Sequence, residues 1–313
     1  MDDINETEVE EFILLAFSDF QQYEKFLFIL VLLTYVFCII GNISIIVLIR
    51  VQLSLHTPMY YFISIFAMLE MTFVSVSVPK LLANLIASNK KISFRGCFTQ
   101  LYALNALGET ECFLLAVMVF DRHLAIHNPL RYSAIMNHCT VTQLTVLPWV
   151  LGFAISFIPT FFTAHLEFCG PNKVDHFFCD LAPLQSLACS NPDTSKAMTS
   201  LAAVLATVLP FIIIMGFYIH IIYTVFNMQG SMSKRKSFST CTSHLIVASL
   251  FYGTAITVYI NPKGRQYEKF LALMYTVLTP LVNPFIYTLR NRDVKAAILK
   301  SCRQCVNNLQ MSL

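Results

Sequence analysis

The chain has 313 residues, of which 56% are hydrophobic and only 12% are charged, and its formal net charge is +3. Soluble domains are about 45–50% apolar and about 25% charged, so this composition excludes an ordinary soluble protein. The mean hydropathy of +0.64 agrees with that exclusion. We therefore predict a membrane protein.

Seven apolar stretches are long enough to cross a bilayer, because a hydrocarbon core of about 30 Å needs about 20 apolar residues per helix. Their continuous apolar character favours helices over a β-barrel, whose strands show shorter alternating segments. In chain order the predicted spans are Phe26–Ile49, Pro58–Leu85, Cys97–Phe120, Thr140–Ala164, Ala197–Met228, Phe238–Ile260 and Phe270–Leu289. The predicted fold is an all-α membrane protein, a seven-transmembrane helix bundle.

The distribution of charge predicts that the N-terminus lies outside the cell. With that orientation the cytoplasmic loops and tail hold eleven basic residues and two acids, which is the bias typical of the cytoplasmic side. We predict an extracellular N-terminus (1–25), a seven-transmembrane receptor domain (26–290) and a cytoplasmic tail (291–313). Asn5, in the sequence NET, is a predicted glycosylation site on the extracellular segment.

Two acids, Glu70 and Glu111, lie in the middle of the second and third spans. An ionisable side chain inside a membrane is costly and marks a functional site. We expect both to face the bundle interior, near Asn42 and Asn283 of the first and seventh spans. Two carboxylates in one place repel unless a cation lies between them or one of them is protonated. A sodium ion and a shared proton are both consistent with these residues.

Asp121 and Arg122 follow the apolar run of the third span, in the segment MVFDRHLAIHNPLRY (118–132). An acid beside an arginine offsets the cost of holding a guanidinium group at the membrane edge. The alternative is a simple interfacial anchor, whose side chain extends toward the lipid headgroups.

Four cysteines lie on the predicted outer side: Cys97 begins the third span, and Cys169, Cys179 and Cys189 lie in the long outer loop. An even number of cysteines in an oxidising compartment predicts two disulfides, although the spacing alone allows three connectivities. A bridge from Cys97 to the loop would hold the loop over the bundle.

Beyond the seventh span, apolar residues recur at helical spacing with basic residues between them. This pattern predicts a short interfacial C-terminal helix on the inner leaflet and makes membrane lipid a partner. The apolar positions are Val294, Ala297, Ile298 and Cys302.

Four segments carry a further signal: LHTPMYYF (55–62), MVFDRHLAIHNPLRY (118–132), KSFSTCTSHL (236–245) and TPLVNPFIYTLRN (279–291). In this order and on these spans they closely resemble the signature segments of vertebrate olfactory receptors, which are rhodopsin-like G-protein-coupled receptors. The resemblance extends over essentially the whole chain. It implies a receptor and not an enzyme, and the chain lacks a phosphate-binding loop and a G-x-S-x-G motif.

The resemblance implies a switch at the cytoplasmic end of the bundle. The pair Asp121 and Arg122 would hold the inactive state, and Arg122 would meet a G protein once the sixth helix swings outward. Tyr218 and Tyr287 would be the polar partners in the active arrangement.

The resemblance also implies an internal ion site and a disulfide pattern. The ion site would use the acids and amides named above, Asn42, Glu70, Glu111 and Asn283. The usual pairings of the family would join Cys97 with Cys179 and Cys169 with Cys189.

The implied ligand pocket lies among the third, fifth and sixth spans, toward the outer side. Its walls are mostly apolar or aromatic with a few hydrogen-bonding groups, which suits a small, partly hydrophobic molecule. Leu104 occupies the position where amine receptors of this fold carry an aspartate, which disfavours a biogenic amine, although Glu109, more than one turn deeper, could still meet a cation. The predicted wall residues are Leu104, Asn105, Gly108, Glu109, Cys112, Ala203, Thr207, Tyr252, Ile256 and Tyr259.

The chain departs from the family pattern mainly near the switch. Phe120 and His123 stand where the family usually has tyrosine, and His127 stands where it usually has cysteine. Phe217 replaces a usual serine, and Glu70 replaces a usual aspartate. These departures bear on coupling to the G protein more than on the fold.

The resulting prediction is an odorant receptor of the plasma membrane that binds a small, mostly apolar molecule and activates a stimulatory G protein to raise cyclic AMP. Its partners would be an odorant, a heterotrimeric G protein and lipid, with no nucleic acid and no cofactor other than a sodium ion. Two alternatives remain open: a related receptor for an internal metabolite outside the nose, and a small-solute transporter. The helix prolines lack the symmetry between two halves that is typical of transporters.

Overall fold

The computed structural model describes residues 9–17, 22–87, 90–170, 172–227, 245–253, 269, 271–290, 294–300 and 303, without the side chains of 284, 285 and 287–290. Five of the described helices are long and apolar enough to cross a membrane. They are α1 (Glu24–Val51), α2 (Pro58–Ile86), α3 (Phe94–His127), α5 (His138–Ala164) and α7 (Asp193–Asn227). Two short helices, α4 (Tyr132–Ile135) and α6 (Leu181–Gln185), lie between them.

The remaining described helices are α8 (245–253), α9 (271–290) and α10 (294–300). The predicted sixth span, Phe238–Ile260, is described only at α8, and the predicted seventh span corresponds to α9. The part of α9 at Leu271–Asn283 is an apolar helix shorter than the other spans.

The first, second and fourth predicted spans correspond to α1, α2 and α5, and both ends of each span lie within two residues of the ends of its helix. The third does not, because α3 continues to His127, seven residues beyond the predicted end at Phe120. A helix can extend past its apolar run when its polar residues have partners, and Asp121, at 0% exposure, has two such partners.

The bundle is organised around α3, which contacts α2, α5 and α7. The approach of α5 to α3 is closest at Gly152, where an added Cβ atom would lie 2.7 Å from the carbonyl oxygen of Ala106. Just outward of this point, the Tyr102 hydroxyl donates to the Phe153 carbonyl oxygen at 3.1 Å. Helices α3 and α5 are therefore joined tightly at one level of the membrane.

Two wide helical turns precede prolines. The π-helical segment Val204–Val208 in α7 comes just before Pro210, and Met274–Leu278 in α9 comes just before Pro280. Proline donates no backbone hydrogen bond and crowds the preceding turn, and a π-bulge absorbs that disruption. Both bulges lie on predicted spans, and one of them contains Thr207.

A small sheet covers the outer end of the bundle, and the sequence analysis did not predict it. It consists of β1 (Glu11–Leu14), β2 (Lys91–Ser93) and β3 (Lys173–Val174) in the order β2-β1-β3. Strand β1 is antiparallel to β2 and parallel to β3. Phe12 and Leu14 of β1 are fully buried, so the N-terminal segment is part of the packed structure.

The predicted amphipathic C-terminal helix is helical at α10. Val294 and Ala297 are buried against the bundle, whereas Leu299 is 60% exposed. Large apolar side chains on α1, α5 and α7 are also exposed, as expected for faces that contact lipid.

Candidate functional site

The end of α3 that is predicted to be cytoplasmic holds a compact charged cluster. Arg122 donates from Nε to Asp121 Oδ2 at 3.0 Å and forms an ion pair with it through Nη2 at 2.5 Å. Tyr132 of α4 donates its hydroxyl to the other carboxylate oxygen, Asp121 Oδ1, at 2.6 Å. Burial and the neighbouring Asp121 raise the pKa of Tyr132, which keeps the phenol protonated as a donor. The predicted pair is therefore a triad.

The other two predicted switch residues are only partly described. Tyr218 of α7 is buried. The side chain of Tyr287 lies outside the described residues, as does Asn5. Tyr132 was missed in the sequence, although it ends the same segment that carries Asp121 and Arg122.

Three histidines surround the space between α3 and α7 next to Arg122. His123 Nε2 and His220 Nδ1 share a hydrogen bond of 2.9 Å, and the ring of His127 lies 4.7 Å from that of His220. Phe217 packs on His123 with ring centroids 5.0 Å apart. Among the described residues, no group of three or more His, Cys, Asp or Glu side chains is arranged to hold a metal ion. The departures His123, His127 and Phe217 thus form, together with His220, an aromatic contact between α3 and α7.

The predicted ion-site residues lie in the interior of the bundle, and all four are buried. Asn283 of α9 donates through Nδ2 to Glu70 Oε1 of α2, and Glu111 lies close enough to Glu70 for the two charges to interact. Asn42 instead donates to the Cys38 carbonyl oxygen of its own helix at 3.0 Å. Three oxygens in this region lack a hydrogen-bond partner: Glu70 Oε2, Glu111 Oε1 and Asn283 Oδ1.

Three of the predicted ligand-wall residues meet where α3, α7 and α8 come together. The Tyr252 hydroxyl of α8 donates to the Cys112 carbonyl oxygen of α3 at 3.4 Å, and the Thr207 hydroxyl of α7 lies beside the Cys112 thiol. The ring of Phe211 packs on Tyr252, with centroids 5.1 Å apart. The prediction of a shared site among these helices therefore has a structural counterpart.

The remaining wall residues differ in their surroundings. Leu104 is buried, and Ala203 directly precedes the wide turn of α7. Gly108 lies 3.8 Å, measured from a built Cβ, from the ring of Phe73 and so borders α2. Ile256 and Tyr259 lie outside the described residues.

Asn105 and Glu109 lie one turn apart on α3, and Glu109 faces α5. The Ser156 hydroxyl of α5 faces the Glu109 carboxyl group without completing a hydrogen bond of good geometry. Asn105 Nδ2, Glu109 Oε2 and Ser156 Oγ are all shielded from solvent and unpartnered. Ser156 was not predicted, because one serine in an apolar helix carries no signal of its own.

The long outer loop is fixed over the bundle by both disulfides that the resemblance implies, Cys97–Cys179 and Cys169–Cys189. Phe177 and Phe178 are buried in the same hydrophobic cluster as the helices. The loop is also joined to the start of the seventh span by an ion pair between Asp175 and Lys269. These contacts make the loop a roof above the predicted pocket.

His176 lies inside this roof, stacked on Phe177 at 4.7 Å. Its burial, together with the positive charge of Lys269, lowers its pKa to about 4, despite the opposing effect of Asp175. The imidazole is therefore neutral in the folded protein at neutral pH.

The free energy of unfolding should fall as the pH is lowered from about 6.5 to about 4, because the unfolded chain binds a proton at His176 in this window and the folded one does not. This proton uptake lowers the free energy of unfolding by at most about 1.4 kcal/mol per pH unit. A His176→Phe variant keeps the packed ring and should lose this part of the acid sensitivity in thermal melts of purified receptor. The exposed His165 offers the control, His165→Phe, which should melt like the parent; equal acid sensitivity in the His176 variant would contradict the assignment.

A model of the family described as "Olfactory receptor" matches residues 31–304. The chain belongs to the olfactory receptor family. Human olfactory receptor 10A7 is 44% identical to this receptor over 306 residues, covering 96% of each chain. Mouse olfactory receptor 6E1 is also 44% identical, over 93% of this chain and 94% of its own.

The crystal structure of squid rhodopsin has the same fold. It superposes with a TM-score of 0.71 at 18% sequence identity, covering 90% of this olfactory receptor and 80% of the rhodopsin chain. The family and the fold together identify a multi-pass G-protein-coupled receptor for small odorants and confirm that the protein is a signalling receptor rather than an enzyme.

Proposed function

We propose that this receptor binds a small, mostly apolar odorant among α3, α7 and α8 and activates a stimulatory G protein, which raises cyclic AMP. The observation that carries the proposal is the arrangement of α3. Its middle meets α7 and α8 at Cys112, Thr207 and Tyr252, and its inner end holds Asp121 and Arg122. Nine residues of helix, about 14 Å, separate Cys112 from Asp121.

The mechanism follows because α3 is one continuous helix from Cys112 to Arg122. A ligand shifts a conformational equilibrium only through its different affinity for the two states. An odorant that contacts Thr207 and Tyr252 favours one packing of α7 and α8 against α3. Arg122 is held by Asp121 in the inactive packing, and its release exposes a cationic group to the G protein.

We place the receptor in the plasma membrane with its N-terminus outside. The excess of basic residues on the opposite side supports this orientation. The two disulfides also support it, because they belong in an oxidising compartment. In this orientation the sheet and the roof loop lie on the extracellular side, where the odorant arrives.

The polar interior of the bundle fits a sodium ion. Glu70, Glu111 and Asn283 each present an oxygen without a partner there, and oxygen ligands suit a hard cation, which would also relieve the repulsion between the two acids. Sodium would stabilise the folded receptor by about 1.4 kcal/mol at ten times its dissociation constant. Equal melting temperatures in sodium and choline chloride would exclude the ion and leave the shared proton.

The deciding experiment screens a panel of odorants on cells that express the receptor with a cyclic AMP reporter. At least one compound should raise cyclic AMP, and Arg122→Ala should abolish that response while the receptor remains at the cell surface. Arg50→Ala, at the exposed end of α1, is the matched control and should respond. Cells without the stimulatory α subunit should show no rise.

Two outcomes would contradict the proposal. A response that persists in Arg122→Ala would show that this guanidinium is not the coupling group. A response that persists without the stimulatory subunit would assign the receptor to another class of G protein.

A further inference from the structure

Three buried polar groups between α3 and α5 are left without partners. Glu109 Oε2, Asn105 Nδ2 and Ser156 Oγ each have almost no solvent-accessible area and no hydrogen bond. Nearly all buried polar atoms in folded proteins are paired, because an unpaired one costs about 1–3 kcal/mol. Three such atoms, on Glu109, on Ser156 that faces it and on Asn105 one turn away along α3, indicate a binding site for a polar group.

Helices α3 and α5 pack closely beside these groups. The closest contact of α3 and α5 is at Gly152, beside Ala106 and Thr110. Ser156 lies one helical turn outward from Gly152 and faces Glu109. Glu109, next to Thr110 on α3, thus lies at the level of the tight contact, and Asn105 and Ser156 lie one turn outward from Glu109 and Gly152 respectively.

Charge decides which polar group fits. Helix α3 has no Lys or Arg between Arg95 and Arg122, α5 has none along its length, and α7 has none after Lys196. A carboxylate buried among apolar helices without a counter-ion is strongly disfavoured. The receptor supplies Glu109 with no cation of its own from these helices, so a bound cation would provide the missing charge.

We propose that the receptor is selective for odorants that carry a protonated amine on a small apolar body, and that Glu109 binds the ammonium group. This proposal rests on the proposed odorant-receptor function and specifies its ligand class. The ammonium donates to Glu109 Oε2 and to Ser156 Oγ. The ionised carboxylate has acceptor sites to spare, and it accepts a further hydrogen bond from Asn105 Nδ2 one turn outward.

The apolar body of the ligand lies against the apolar wall residues of α3. Leu104 and Cys112 of α3 are buried and present apolar surface on either side of Glu109. The absence of a second charged group on these walls disfavours amino acids, whose carboxylate would be left unpaired. Simple alkylamines and arylamines fit best.

The test uses compounds that share one carbon chain: hexylamine, hexan-1-ol, hexanoic acid and hexane, with homologues of four to ten carbons. Full-length receptor is expressed with a cyclic AMP reporter, and an extracellular epitope reports its surface level. The amines should be at least about tenfold more potent than the alcohols of equal length.

Variants then assign the preference to Glu109. Glu109→Gln should lower amine potency at least about thirtyfold and reduce the ratio of amine to alcohol potency by at least about tenfold, whereas Glu109→Asp should keep the preference. Ser156→Ala should lower amine potency about tenfold. Glu167→Gln, the same change on the exposed outer loop, should leave amine potency unaltered. If Glu109→Gln fails to reach the surface, Glu109→Asp and Ser156→Ala carry the test.

The failure of this proposal is distinguishable from failure of the receptor function. Alcohols or hydrocarbons that signal through Arg122 while amines are weaker would overturn the amine selectivity and leave the function intact. An unchanged amine-to-alcohol ratio in Glu109→Gln would likewise overturn it. No response to any odorant from a receptor at the cell surface would reject both.

Discussion

A Gly152→Ala substitution should sharply reduce the amount of folded receptor at the cell surface. The added Cβ atom would lie 2.3 Å from Thr110 Oγ1, 2.7 Å from the Ala106 carbonyl oxygen and 2.8 Å from the Thr110 backbone nitrogen. Two of these atoms belong to the α3 backbone, so relief requires the helices to separate. Helix propensity favours alanine over glycine by about 1 kcal/mol, but overpacking of about 1–3 kcal/mol or more outweighs it.

Gly216→Ala is the control for this substitution, because nothing lies within 4 Å of a Cβ atom built at Gly216 of α7. It should match or slightly exceed the parent in surface staining by flow cytometry and in melting temperature. Gly152→Val should be worse than Gly152→Ala. Normal surface levels of Gly152→Ala would mean that α3 and α5 do not approach as closely as described.

Asp121→Asn should raise basal cyclic AMP in the absence of odorant. The buried Asp121 carboxylate holds Arg122 and accepts from Tyr132, and the amide keeps its shape but loses the charge that restrains the guanidinium. A loss of about 1.4 kcal/mol of preference for the inactive state raises a small active population about tenfold. Basal signal, normalised to surface receptor, measures the effect.

Tyr132→Phe separates the hydrogen bond from the charge. It removes one donor to Asp121 and should raise basal activity about twofold to fivefold, because only part of the about 1.5–3 kcal/mol of a hydrogen bond to a charged group differs between the inactive and active states. Tyr61→Phe, at an exposed position of α2, is the matched control. An Asp121→Asn variant that reaches the surface normally but has the basal cyclic AMP of the parent would show that this triad does not restrain the receptor.

The helices could be predicted from the sequence wherever burial in lipid alone determines them. The continuous apolar runs of α1, α2 and α5 give their ends within two residues, because the bilayer requires a fixed length of apolar helix. The inner end of α3 could not be predicted in this way, since it depends on Tyr132 and Arg122 holding a buried acid beyond the apolar run.

The outer surface shows the opposite case. Strands β2 and β3 have three and two residues, too few for an alternating pattern to be recognised. Their formation depends on β1, which is distant in sequence. The disulfide pairing was likewise given by the family resemblance, since spacing left three connectivities open.

In the candidate sites, too, some residues could be predicted from the sequence and others could not. The intramembrane acids Glu70, Glu109 and Glu111 could be found because any charge in an apolar helix is conspicuous. The side chains around them could not, because Ser156 is an ordinary residue until packing places it opposite Glu109. Only the structure shows that Asn42 bonds within its own helix while Asn283 reaches Glu70.

The sheet at the outer end has a consequence for how the chain is made. Strand β1 is synthesised near the beginning, but its parallel partner at Lys173 follows about 160 residues later. At a translation rate of about 5–20 residues per second, the first strand waits roughly 10–30 s for its neighbour. Phe12 and Leu14 stay uncovered during that wait, so the nascent receptor presents an apolar N-terminal segment that chaperones are suited to bind.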